Sequence, residues 1–275
     1  HRGRFLGLTE RGTRYQGLST GLDHLLELGV NTVQILPLTS FQLAGNEGDY
    51  GWGYDSIHFN TPDGWYATRR DDMTRVRELK QMISTLHENG IRVVMDMVYN
   101  HTMEDIFCGR LYSFDALVPG YYYRLRPGGQ YYNGSGVGNE FRSEAPMARR
   151  FIIDSLKYWV QEYKVDGFRF DLMGLMDRDT LKLLAAELLA IDPNLLIYGE
   201  PWAAGVTPLN VAGKGSQRGL GYSVFNDDFR DALKGTVWNA SQPGFVQAGV
   251  DVERVMAGGA GSIENSFHKN HLEIG

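Results

Sequence analysis

The chain has 275 residues, 43% hydrophobic and 22% charged, which excludes a small disulfide- or metal-stapled scaffold and a disordered polypeptide. Lys and Arg number 27 against 33 Asp and Glu, a formal net charge of −6, so neither nucleic acid nor a membrane surface is an expected partner. The single cysteine, Cys108, excludes an internal disulfide and a cysteine-rich zinc site.

In chain order, residues 22–28 carry an amphipathic pattern stopped by Gly29, and 30–36 (VNTVQIL) read as a strand. A Gly-rich stretch follows; it contains YGWGYDSIHF at 50–59, with a second short strand expected near 57–60. Residues 74–89 predict a helix ended by Gly90, and 91–96 (IRVVMD) a buried strand. From about 102 to 145 no period persists, and a long loop excursion is expected. Helix returns at 146–163, then a strand at 165–171 (VDGFRFD), a helix at 179–190, a strand at 195–200 (LLIYGE), a short strand near 222–225 and a helix at 227–233.

Strands alternating with helices imply βαβ units and a parallel sheet, closed as a barrel or open and doubly wound. An open nucleotide-binding sheet would carry a P-loop or dinucleotide fingerprint; GSGVG at 134–138 lies inside the excursion, with no strand leading into it. The expected fold is therefore α/β, a parallel (β/α)8 TIM-type barrel with residues 1–275 as one catalytic region. Six strands are counted where a closed barrel needs eight. The barrel is thus expected to be incomplete, with its C-terminal part missing. No apolar run reaches the length of a membrane span and no signal peptide is visible, which leaves the compartment open, cytoplasmic or secreted.

Three predicted strands finish on a carboxylate: Asp96, Asp171 and Glu200. In a parallel barrel all strand ends face one mouth, so these acids can converge there, and burying them is costly unless something pairs or uses them. In FRFD, alternation puts Arg169 and Asp171 on one face and Phe168 and Phe170 on the other. Arg169 is placed to keep Asp171 ionised, as a nucleophile requires; the plain alternative is a structural ion pair. Glu200 stands in YGEPW, where Trp202 offers an apolar wall and partial burial favours the protonated acid. An ionised Asp with a protonated Glu is the pair that hydrolyses glycosides with retention. A metal-ligand role for Glu200 beside Asp96 and His101 is the alternative, though no metal-binding spacing accompanies it. Asn100 and His101 follow Asp96, and a neutral imidazole can hydrogen-bond a sugar hydroxyl. Trp52, Tyr54 and Asp55, flanked by glycines, form a candidate stacking platform with one polar hook.

These residues resemble the α-amylase superfamily of glycoside hydrolases. DMVYNH at 96–101, GFRFDLM at 167–173 and YGEPW at 198–202 are similar to its first three signature regions. YGWGYD at 50–55, FLGLTERGT at 5–13, GYYYR and NGSGVGNE within 120–140, and FRFDLMGLMD at 168–177 resemble the type I pullulanases, its debranching enzymes. The resemblance implies hydrolysis of α-1,6-glucosidic branch linkages in pullulan, amylopectin and limit dextrins by double displacement. It implies Asp171 as nucleophile and Glu200 as general acid/base. Arg169 would orient the nucleophile, His101 and Tyr54 would contact the glucose at the cleavage point, and Asp96 would organise the site. An α-glucan is the implied partner; no cofactor is required, and calcium is left open. Isoamylase, another glucan-active hydrolase or transferase, or an inactive glucan-binding fragment are the alternatives. The family's fourth region, a His-Asp pair, has no counterpart in the tail, which contains His268 and His271. The isolated chain is accordingly expected to have little debranching activity.

Overall fold

The structure, a computed structural model, describes residues 1–42, 51–104 and 113–236, with Leu111, Asn239, Pro243, Gly244 and Val246. Tyr50, Cys108 and the tail carrying His268 and His271 lie outside the described residues. Five strands lie side by side in chain order and pair parallel throughout: β1 (Thr32–Ile35), β2 (Arg92–Met97), β3 (Gly167–Phe170), β4 (Leu196–Gly199) and β5 (Ser223–Val224). The longer helices are α1 (Gly21–Leu28), α2 (Thr74–Glu88), α3 (Pro146–Tyr158), α4 (Arg178–Leu189) and α5 (Asp227–Lys234). Among the described residues no helix is long and apolar enough to cross a membrane.

Local chemistry fixes these boundaries. Gly29, with φ of 69°, takes the left-handed position that ends α1. Pro146 occupies the first turn of α3, where its missing N–H costs nothing. Asp177 caps α4 by accepting from the Thr180 N–H at 3.0 Å. After Tyr158 the helix widens into a π turn, Trp159–Tyr163, and Trp159 Nε1 donates to the Phe59 carbonyl at 3.0 Å.

All four residues of β3 are buried, as a strand covered on both faces requires. Phe168 and Phe170 sit in the hydrophobic core while Arg169 faces the other way, as alternation predicts. The sheet is strongly curled. Tyr198 Oη on β4 donates to Gln34 Oε1 on β1 at 2.7 Å, across a separation of about 14 Å that three strand spacings would impose on a flat sheet. This is the curvature of a barrel wall.

The strand expected near 57–60 does not belong to that wall. It forms as Ser56–Pro62 and pairs antiparallel with Thr39–Phe41, the chain that continues from β1, so among the described residues the parallel sheet has five strands rather than six. The connection folds back on itself as an antiparallel pair, and His58 and Asn60 stay exposed, which a strand buried on both faces would not allow. Residues 113–145 are irregular apart from a short helix, Phe114–Leu117, and two isolated bridges. A buried ion pair docks them beside the sheet: Arg124 donates to Glu140 at 2.6 Å and to the Leu175 carbonyl at 3.0 Å. In the GSGVG turn the Gly134 N–H goes to Glu140 Oε2 and the Gly138 N–H to Asn133 Oδ1, each at 2.8 Å. Those donors are satisfied by the chain's own side chains and make no phosphate cradle.

Candidate active site

Pairing register aligns Asp96 on β2 with Arg169 on β3 and Tyr198 on β4, so their side chains occupy one layer of the curled sheet. Asp171 and Glu200 lie immediately past the ends of β3 and β4. The Arg169 guanidinium then joins all three acids. Its Nη1 donates to Asp96 Oδ1 at 2.9 Å and to Asp171 Oδ1 at 3.0 Å, and its Nη2 to Glu200 Oε1. A planar fork of five donors suits this bridging as a lysine ammonium would not. Side-chain exposure divides the acids: Asp96 is at 0%, whereas Asp171 and Glu200 keep 16% and 17%. Asp96 is sealed beneath the cation, and only the other two can meet a ligand.

Burial pushes the Asp96 carboxyl up to about 6, against the opposing pull of Arg169 and of the Tyr54 hydroxyl, which donates to Asp96 Oδ2 at 2.8 Å. Burial, reinforced by the Asp96 charge, pushes the Tyr54 phenol upward, so it stays protonated and donating. For Arg169, burial alone favours losing the proton; the Asp96 and Glu200 charges outweigh it and hold the guanidinium firmly cationic. Glu200 is also raised, chiefly by burial; the Leu172 N–H and Arg169 oppose the shift and the Asp171 charge adds to it. His101 is lowered by burial, although the Asp171 and Asp55 charges oppose this, so the imidazole is neutral at physiological pH.

Two residues at the site, Leu172 and Phe225, escaped the sequence reading, which names Asn100 there without a role. Asn100 donates from Nδ2 to Asp171 Oδ2 at 2.8 Å and to the Asp171 carbonyl at 2.9 Å, while its Oδ1 accepts from His101 Nδ1 at 2.5 Å. The two Asp171 oxygens therefore have one donor each, Arg169 and Asn100, which fixes the carboxylate plane. Leu172 adopts φ 40° and ψ 48°, the left-handed region that a branched side chain disfavours, and this turns its N–H onto Glu200 Oε2 at 2.8 Å. Phe225, just past β5, places its ring 5.6 Å from the Arg169 guanidinium carbon. Neither Leu172 nor Phe225 left a trace in the sequence, whereas Asn100 stands in the loop after a strand-end acid.

Close backbone approach sets the spacing. A Cβ on Gly174 would lie 2.6 Å from the Trp202 carbonyl oxygen, and one on Gly199 would lie 2.6 Å from the Phe170 oxygen. Only glycine lets the turn after Asp171 press against the segment around Glu200.

The remaining candidates are placed less centrally. Tyr54 is half-buried, with the Arg169 guanidinium carbon 6.0 Å from its ring centre, whereas Trp52 is 63% exposed. Asp55 is exposed; its carbonyl accepts from the Gln42 N–H at 2.9 Å and its charge acts on His101. Trp202 meets Phe225, with ring centres 6.5 Å apart. Among the described residues no group of three or more His, Cys, Asp or Glu side chains is arranged to hold a metal. Both Glu200 oxygens are already engaged, by Arg169 and by the Leu172 N–H. The arrangement can present two carboxylates from adjacent strand ends, tied to one cation, with a neutral imidazole and a protonated phenol nearby.

The α-amylase catalytic-domain family matches residues 9–108. A pullulanase of Bacillus subtilis (strain 168) is 42% identical over 95% of this chain and 37% of that protein. The chloroplastic isoamylase 1 of Arabidopsis thaliana is 38% identical over 68% of this chain and 26% of that protein. The crystal structure of a pullulanase from Anoxybacillus sp. LM18-11, complexed with maltotriose, superposes with a TM-score of 0.86 at 40% identity, covering 97% of this chain and 38% of that one. The chain thus spans a little over a third of the length of these pullulanases.

Proposed function

We propose, for a chain that belongs to the α-amylase family of glycoside hydrolases, the catalytic chemistry of a pullulanase-type debranching enzyme. It cleaves α-1,6-glucosidic linkages in pullulan, amylopectin and limit dextrins with retention of configuration. The observation that carries this reading is the single guanidinium holding two accessible carboxylates, Asp171 and Glu200, on neighbouring strand ends.

In the first step an Asp171 oxygen attacks the anomeric carbon as the bond to the leaving oxygen breaks, and Glu200 gives its proton to that oxygen. In the second, Glu200 takes a proton from water, whose oxygen displaces Asp171 and restores the anomeric configuration. Retention requires carboxyl groups about 5–5.5 Å apart, and hydrogen bonds to adjacent nitrogens of one guanidinium favour that closeness. Arg169 orients Asp171, and Asp96 secures Arg169 from beneath. His101, Tyr54, Asp55 and Trp202 contact the sugar. The maltotriose named with the Anoxybacillus pullulanase supports an α-glucan as the partner.

Digestion of pullulan by the protein carrying this chain is expected to release maltotriose. Debranching of amylopectin with pullulan left intact would favour the isoamylase reading, which the Arabidopsis similarity motivates. Release of no reducing ends from any α-glucan would overturn both. A pH profile of kcat is a second check. Glu200 must be protonated to donate, and burial raises its pKa, so the descending limb is expected above the ordinary carboxylate range. Asp96 titrates near 6 in the same cluster, so the limb belongs to the coupled acids rather than to one group. A limb at the value of a free glutamate would contradict the assignment.

A further inference from the structure

A cleft of about 380 Å³, separate from the acids, is lined by Trp65, Thr68 and the run Arg69 to Asp72. Its walls are preformed. Buried Asp63 accepts from the Trp65 N–H at 2.7 Å and from the Phe41 N–H at 3.2 Å, which fixes the entry to the loop. Buried Glu78 on α2 accepts from the Thr68 N–H at 2.8 Å, and Arg4 donates to the Ala67 carbonyl. A Cβ on Gly64 would lie 2.8 Å from the Arg70 oxygen, so the loop closes tightly on itself.

The chemistry of the lining selects its ligand. Arg70 lies over the Trp65 ring, 3.9 Å from the centroid. The charges are largely paired among themselves, Arg69 with Asp72 at 3.2 Å and Arg70 with Asp71 at 3.8 Å. Paired charges of both signs leave no strong field for an ion, yet supply directional donors and acceptors around an aromatic face. A neutral polyhydroxylated ring fits that combination. The exposed cation–π contact is weak, so Arg70 can yield the ring face and turn its donors to hydroxyls.

The cleft also faces the right way. α2 begins just after it and runs back to the start of β2, so the cleft lies at the end of the sheet where the acids emerge. The strand Ser56–Pro62, about 20 Å long, lies on the chain path from Tyr54 to it.

We propose that the Trp65 cleft is a second carbohydrate site, which grips a distant stretch of the same α-glucan chain whose linkage is cut at Asp171 and Glu200. This rests on the glucan reading above. The test is affinity electrophoresis in native gels containing amylopectin, with the protein carrying Glu200→Gln so that glucan is not cut. Excess maltotriose is added to fill the catalytic cleft. Adding Trp65→Ala is expected to weaken retardation about 2- to 10-fold, the size of a lost stacking contact, and Trp65→Phe to restore most of it. Asp71→Ala, at a nearly fully exposed side chain, removes an acceptor without disturbing the fold and is expected to act in the same direction. Unchanged mobility in Trp65→Ala and Asp71→Ala, or no retardation of the Glu200→Gln parent, overturns the second site. The glucan reading itself fails only if the unmutated protein releases no reducing ends, which is measured separately.

Discussion

Glu200→Gln is expected to lower kcat on pullulan by about 10²–10⁴-fold, the range that general acid–base catalysis contributes. Glutamine keeps the shape and its one amide oxygen can still accept from Arg169 or from the Leu172 N–H, which bind different Glu200 oxygens, but it has no acidic proton to give the leaving oxygen. The diagnostic is substrate-dependent. A maltosyl fluoride has a leaving group that needs no proton, so formation of the Asp171 intermediate should remain fast in this variant. Azide, which needs no general base, should then turn the intermediate over and restore much of the rate. Asp171→Asn replaces the nucleophilic carboxylate with a neutral amide and should respond to neither reagent. The double variant should cost little more than the worse single one, because the two groups act as a unit. Full activity in Glu200→Gln on unactivated glucan would remove the acid/base from this residue.

Arg169→Met is expected to cost about 3–5 kcal/mol of stability, the range for removing one partner of a buried ion pair, along with essentially all activity. The reason lies in the count of charges. One guanidinium holds Asp96, Asp171 and Glu200 together, and without it three acids face one another around a partly buried point. The loss should depend on pH with a definite sign. Asp96 is raised to about 6 and Glu200 is raised as well, so acidification protonates them and removes the repulsion that the variant cannot offset. Arg169 lowers the Asp96 pKa in the parent, so the variant takes up that proton at higher pH, and the stability gap between them should narrow as pH falls toward about 6. Arg169→Lys separates charge from geometry. It keeps the cation but not the fork, so it should recover part of the stability and little of the activity. Urea midpoints at pH 7 and pH 4.5 measure both effects, and a midpoint for Arg169→Met equal to the parent's would contradict the bridging role.

Much of this was legible because strands write their geometry in alternation. FRFD announces that Arg169 and Asp171 share a face, and pairing with Asp96 follows once the neighbouring strand also ends in an acid. Other parts are set by three-dimensional proximity that no local pattern encodes. Leu172 in a left-handed conformation is the choice that sequence preference argues against, and the structure holds it there because Glu200 takes its N–H. Phe225 arrives from a strand two places along the sheet, and nothing in SVFND says that its ring will lie by a guanidinium. The run at 57–60 carries ordinary strand signals, and its partner, Thr39–Phe41, is decided by how the chain folds back after β1. GSGVG lacks the leading strand that an anion turn needs, and Glu140 and Asn133 take its N–H groups instead.

The hydrogen bond from Tyr198 to Gln34 joins residues 164 positions apart, and that distance is also an interval of time. At about 5–20 residues per second of synthesis, roughly 8–33 s separate the emergence of the two partners. Throughout that interval β1 and β2 can pair locally, but the contact that curls them toward β4 does not yet exist. The nascent sheet is then unclosed, with strand edges waiting for partners, the state most open to capture by another chain. A ribosome-bound intermediate stalled before residue 198 should accordingly depend on a chaperone, and one released after it should not.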